Sequence, residues 1–206
     1  MSVKLAFGTY VPAYHEVTTF GAHQQREQTM ITKPHPDEYN PYYATYIDKV
    51  PEGDVAALLK RQRDSSYELF SGLSDATASF AYDEGKWTVK EVVGHIIDTE
   101  RTFAYRLFCF SRDHVELPSM DQNIYVKNSN SNSRSIQNLA AEFRATRESN
   151  IYLIESLTEA QLMRTGIASG NPASVRALIY MLVGHELHHL GVLKERYSLH
   201  QISVVA

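Results

Sequence analysis

Past residue 53 the chain settles into four stretches in which apolar side chains return every three to four positions, the spacing of one face of an α-helix. The first covers residues 54–73. Asp54 is placed to cap it, and Val55, Leu58, Leu59, Gln62, Ser65, Leu69 and Leu73 form its inward stripe. The second starts at Thr88, where Thr88 and Glu91 have the T-x-x-E spacing of a capping box; its stripe is Val92, His95, Ile96, Thr99, Phe103, Leu107 and Phe110. The third runs over residues 135–157, with Ile136, Leu139, Phe143, Asn150, Ile154 and Leu157 inward. The fourth opens at Asn171-Pro172 or at Ser174 and carries Val175, Leu178, Leu182, His185, His189, Val192 and Arg196 on one face. No stretch alternates with period two, so no strand is expected. The pattern predicts an all-α fold, a four-helix bundle over residues 30–200.

The flanks and loops are less regular. Residues 1–29 mix aromatics with Thr, Gln and His without a period, and Met30 opens Ile31-Thr32-Lys33-Pro34 like a fresh start. The first 29 residues are therefore expected to be an N-terminal extension, native or added, that the bundle does not need. Residues 30–53 hold Pro34, Pro36, Pro41 and Pro51 among tyrosines and read as an extended lead-in draped over the body. About 14 residues separate the first two helices, about 22 the next two and about 14 the last two, against the ~2–8 typical of bundles. Long connections are often functional, so Leu117-Pro118-Ser119-Met120-Asp121-Gln122, in the longest, is expected to cap a site.

Composition narrows the function. With 206 residues, 43% hydrophobic and 21% charged, the chain can bury one proper core. A formal net charge of −4 without a basic run argues against nucleic acid or an anionic membrane as partner. No apolar run approaches the ~18 residues of a membrane span. The single cysteine, Cys109, excludes an intrachain disulfide, which suits the reducing cytoplasm; in Leu107-Phe108-Cys109-Phe110 it reads as core. Helix four is apolar off its stripe as well, at Tyr180, Met181, Val183, Leu187 and Leu190, which suggests a second covered face and a homodimer.

Three histidines carry the candidate chemistry. His95, His185 and His189 sit where helix stripes want apolar residues. An unpaired buried imidazole costs on the order of 1–3 kcal/mol, so three in one core are a heavy load unless something binds them. The four-residue spacing puts His185 and His189 on one helix face, and His95 from another helix could complete a three-nitrogen site for a divalent metal, zinc or nickel, with open positions. His188 lies off that face. Asp98, Thr99 and Glu186 are candidate catalytic or supporting groups that hold imidazole N–H groups or a nucleophile. Gly94 and Gly184, each next to a histidine, suggest either close packing or room for substrate. His185-Glu186-Leu187-His188-His189 also has the H-E-x-x-H spacing of zinc proteases, but almost no chain follows it to supply a third ligand, and no strand is at hand to hold a peptide.

Tyr39-Asn40-Pro41-Tyr42-Tyr43, Val50-Pro51-Glu52-Gly53-Asp54, the run from Trp87 through Val92-Val93-Gly94-His95-Ile96 to Arg101, Ser174-Val175-Arg176-Ala177-Leu178 and Gly184-His185-Glu186-Leu187-His188-His189 together resemble the DinB-like superfamily, in particular its YfiT-type metal-dependent hydrolases. The resemblance covers about residues 31–197. It implies a four-helix bundle holding a metal on His95, His185 and His189. It further implies a small-molecule substrate and, from relatives with known roles, transfer of a low-molecular-weight thiol to a small electrophile. The alternatives are hydrolysis of a small ester or amide by a metal-activated water, and a non-catalytic metal-binding bundle.

Overall fold

The structure, a computed structural model, describes residues 30–199; the expected extension over residues 1–29 lies outside the described residues. The lead-in makes two 3-10 turns, Pro36–Glu38 and Pro41–Tyr43, each opened by a proline whose fixed φ suits a helix start, and then the short helix α1 (Ala44–Ile47). It is pinned to the body by Glu38, which accepts from Ser174 Oγ at 2.7 Å and Arg176 Nε at 2.8 Å. Burial alone would raise the Glu38 carboxyl, but the Arg176 guanidinium, the Ser174 hydroxyl and the His35 N–H together pull it down to about 2.

Four long helices follow the four stripes. α2 (Val55–Ser71) is capped by Asp54, which accepts from the backbone N–H of Ala56 at 2.9 Å and Ala57 at 3.2 Å. A short α3 (Asp75–Ala78) leads to α4 (Val89–Ser111), whose Thr88–Glu91 capping box forms as expected. Beyond α4 come strand β1 (Glu116–Leu117), α5 (Gln122–Asn128) and α6 (Ile136–Glu155). Then α7 (Glu159–Leu162), β2 (Thr165–Ala168) and β3 (Asn171–Ser174) precede α8 (Val175–Arg196), which is capped by Ser174.

The expectation of no strands is corrected. β1 pairs parallel to β2, and β2 pairs antiparallel to β3 with Thr165 opposite Ser174 and Ala168 opposite Asn171. Ser169 and Gly170, with φ of 56° and 74°, make the two-residue turn that matches a hairpin's twist. Strands of two to four residues are too short for a period of two to stand out. Two stripes also drift. On α2 the buried positions after Gln62 are Ser66 and Phe70, not Ser65 and Leu69, and on α8 Leu190 and Leu193 replace Val192 and Arg196. Tyr180, Met181, Val183, Leu187 and Leu190 are all buried by their own chain, which removes the reason for expecting a dimer.

The bundle's topology explains its long loops. α2 packs on α6 and α8, and α4 packs on α8 and α6, so α2 lies diagonally across from α4 and α6 diagonally from α8. The buried apolar residues form two clusters along the bundle. One takes the start of α2 and α8 and the end of α4 and α6; the other takes the opposite ends. α4 and α6 are therefore neighbours that run parallel, so the segment joining them must travel back along the whole bundle. That segment carries β1 and α5 past one end of the candidate site.

Between the two apolar clusters lies a buried polar layer to which every long helix contributes: Gln62 and Ser66, Thr99 and Glu100, Arg147 and Asn150, His185 and Glu186. Arg147, fully buried, donates to Glu100 through Nε at 2.7 Å and Nη2 at 2.8 Å and to Gln62 Oε1 at 3.2 Å. Asn150 donates to Glu100 as well, at 3.0 Å. Ser66 donates to Glu186 Oε1. Arg147 Nη2 also lies 2.8 Å from Glu186 Oε2, close enough for an ion pair but outside hydrogen-bond geometry. Burial raises the Glu186 carboxyl, opposed by the Arg147 charge.

Candidate metal centre

α4 delivers His95 and α8 delivers His185 and His189 to one point in this layer. Nε2 of His95 lies 3.1 Å from Nε2 of His185, and Nε2 of His189 lies 3.1 Å from the same atom. The three donor atoms all fall within 4.8 Å of one another. Nitrogens about 2.8–3.4 Å apart are what an ion at about 2.0–2.1 Å requires of three tetrahedral or mutually perpendicular ligands. His95 and His185 are buried and His189 is partly exposed.

Hydrogen bonding alone satisfies this cluster poorly. A neutral imidazole nitrogen carries one proton or one lone pair, so Nε2 of His185 can make one good hydrogen bond and not two. A cation facing three lone pairs resolves that conflict, so the donor set fits a divalent metal. The protonation states agree. Burial, with a smaller contribution from His188, lowers His95 to about 4. Burial and then the neighbouring rings hold His185 and His189 well below the usual histidine value. Neutral imidazole is the ligating form.

The surroundings set the rings in place. Trp87 packs 5.0 Å from the His95 ring, and Tyr46 of α1 stands edge-on to His185 at 5.3 Å and to His188 at 5.4 Å. The two glycines serve close packing. A Cβ on Gly184 would lie 2.1 Å from the Tyr46 carbonyl oxygen, and one on Gly94 would lie 2.2 Å from Ser131 Oγ. Each lets a non-bundle segment sit directly against a ligand-bearing helix.

On one side the cluster opens into a cavity of about 530 Å³ lined by His95 and His185 but not His189. Its walls come from the lead-in (Tyr42, Tyr43, Tyr46), from α4 (Thr99, Thr102, Phe103, Arg106) and from the long connection (Ser119, Met120, Asp121, Gln122), with Ser169 of the hairpin turn. Of the segment 117–122, expected from loop length to cap a site, residues 119–122 line the cavity.

The other sequence candidates are placed differently from one another. Thr99 lines the cavity one helical turn from His95, and its Oγ1 is buried without a partner among the described residues. Nδ1 of His95 is likewise buried and unpartnered. Asp98 is at the helix flank, 4.0 Å from Arg101, and does not line the cavity. Burial raises its carboxyl, against the pull of Arg101. Glu186 points away from the histidines into the network of Ser66 and Arg147. His188 is half-buried against Tyr46 and outside the three-nitrogen group. Sequence reasoning missed Arg147 and Arg106, whose charges broke the apolar stripe rule; it noted Tyr42 and Tyr43 in the motif around Pro41 but did not assign them, or Tyr46, to the site.

Comparison with known proteins agrees with this architecture. The sequence profile of the DinB superfamily matches residues 58–193. A protein of Oceanobacillus iheyensis, provisionally named a metal-dependent hydrolase, is 27% identical over 129 residues, covering 62% of this chain and 74% of its own. The solved structure of YfiT from Bacillus subtilis, described as a probable metal-dependent hydrolase with an unusual four-helix bundle topology, superposes with a TM-score of 0.62 at 18% identity, over 76% of this chain and 89% of that one. A DinB-like protein of the same species, YjoA, superposes with a TM-score of 0.51 at 21% identity, over 73% and 94%. The two structures share the fold. With the matched profile spanning all four bundle helices, the chain belongs to the DinB superfamily.

Proposed function

We propose that this protein is a metal-dependent hydrolase of a small ester or amide. The observation that carries the reading is the convergence of three histidine Nε2 atoms beside a cavity of small-molecule size. The name given to the Oceanobacillus relative points the same way. His95, His185 and His189 would hold a divalent ion that favours imidazole, zinc or nickel. The ion, when bound, supplies Lewis acidity, lowering the pKa of water and polarising a carbonyl.

The chain's own residues do the rest. Tyr42, Tyr43 and Phe103 wall the cavity and shed water from an apolar part of the substrate. Thr99, one turn from His95 on the cavity wall, would hydrogen-bond a reacting oxygen once its buried, unpartnered hydroxyl turns toward the substrate. Glu186 and Arg147 act at one remove by fixing α8 and α6 behind the ligands. Asp98 has no contact in this scheme.

The test is a panel of small esters and amides offered to protein loaded with zinc or nickel. A low-molecular-weight thiol with an aryl halide runs beside it, and casein serves as the peptide control. Ester or amide turnover that requires the ion, and falls at least ~100-fold in His95→Ala, is expected. Turnover only when thiol is present moves the protein to thiol transfer. No turnover of any substrate overturns the enzyme reading.

A further inference from the structure

Arg106 lines the same cavity as the histidines, and its counter-ion is missing. The residue is 5% exposed. Only its Nη2 is engaged, donating to the Pro118 carbonyl at 3.0 Å and to Ser169 Oγ at 3.0 Å. Both partners are neutral, and among the described residues no carboxylate lies within ion-pair reach of it. Asp121, the acidic residue on the cavity wall, is committed to capping α5, accepting from the N–H of Asn123 and Ile124. The buried cation Arg147, by contrast, has carboxylates on two sides. A guanidinium so little exposed and without an anion is costly unless a ligand supplies one.

Its position fits a substrate-binding role. His95, Thr99, Thr102, Phe103 and Arg106 follow one another along a single face of α4, all on the cavity wall. His95 and Arg106 are 11 residues apart, about 16 Å along the helix axis. The two neutral contacts on Nη2 hold the fork in place while Nε and Nη1 stay free of protein partners. Their N–H bonds lie on different edges of the plane, so each offers a single charge-assisted hydrogen bond to a carboxylate oxygen.

We infer that Arg106 is the anion-recognition residue of this site, and that the substrate carries a carboxylate several atoms from the bond that is cut. The second half rests on the hydrolase reading; the first does not. Aromatic walls at Tyr42, Tyr43 and Phe103 take the apolar stretch between the two ends.

The experiment uses metal-free protein at pH 8, so that no ion competes for the anion, and compares binding of benzoate with that of neutral benzyl alcohol. Wild type should prefer benzoate by about tenfold or more, and Arg106→Gln should erase the preference while Arg106→Lys keeps part of it. Benzoate should also shift the Arg106 Nε–H resonance in wild type, a measurement that needs no variant and survives any misfolding of Arg106→Gln. Equal binding of the two ligands to wild type, a preference that persists in Arg106→Gln, or an unmoved Arg106 resonance overturns the inference. Hydrolysis is not read in this assay, so a protein that prefers benzoate yet turns over no ester fails the hydrolase reading alone.

Discussion

Gly184 and His185 show how neighbouring residues divide the work at the site. The histidine contributes a lone pair, and the glycine contributes an absence, the missing Cβ that lets the Tyr46 carbonyl reach α8. A methyl at Gly184 would meet backbone, which cannot rotate aside; one at Gly94 would meet the Ser131 side chain, which has somewhat more freedom. Gly184→Ala should therefore cost about 1–3 kcal/mol and loosen α1 from α8, and Gly94→Ala should cost less. Thermal melts of the two variants check the order. The sequence made the histidines legible because each interrupts an apolar stripe. It left the role of the glycines open, because close packing and empty space look alike in one dimension. Arg106 was illegible for a related reason: a charge on an otherwise apolar helix end reads as solvated until the fold puts Pro118 and Ser169 around it.

The helices themselves were well marked. Asp54, Thr88 and Ser174 cap α2, α4 and α8 as their side chains allow, because capping is local chemistry. Stripes on α4 and α6 match burial throughout, while that on α2 slips by one position and that on α8 drifts toward its end, since several 3–4 spacings fit the same apolar residues. The hairpin of β2 and β3 was missed although its Ser169-Gly170 turn is a recognisable dipeptide. The element that most depends on tertiary context is the polar layer. Arg147 on α6 serves carboxylates from α4 and α8 at once, and nothing in the periodicity of α6 announces it. Removing Arg147 leaves two buried carboxylates unpaired, so Arg147→Ala should lower stability by about 3–5 kcal/mol. Glu186→Gln keeps the shape and the Ser66 contact, and Glu100 remains to neutralise Arg147, so it should cost less than half as much. Denaturant unfolding of both variants measures the contrast; equal losses would mean that Glu186, not Glu100, is the main partner of Arg147.

At the scale of the molecule, the parallel placement of α4 and α6 turns loop length into a cavity wall. The returning segment brings residues 119–122 to the cavity that the histidines open into, and the lead-in closes the other side with its tyrosines. Loop length was visible in the sequence and correctly drew attention to this segment. The reason for the length, two neighbouring helices running the same way, was not, because periodicity carries no information on which helices touch. No helix among the described residues is long and apolar enough to cross a membrane. The whole arrangement is organised around the point where α4 meets α8, and its central claim is that three histidines there hold one divalent ion. Titration of metal-free protein with zinc, in wild type and in His189→Ala and His188→Ala, tests that most directly. One ion per chain should bind to wild type, with affinity reduced by at least ~100-fold in His189→Ala and by less than ~3-fold in His188→Ala. No stoichiometric binding to wild type, or equal losses in the two variants, would contradict it.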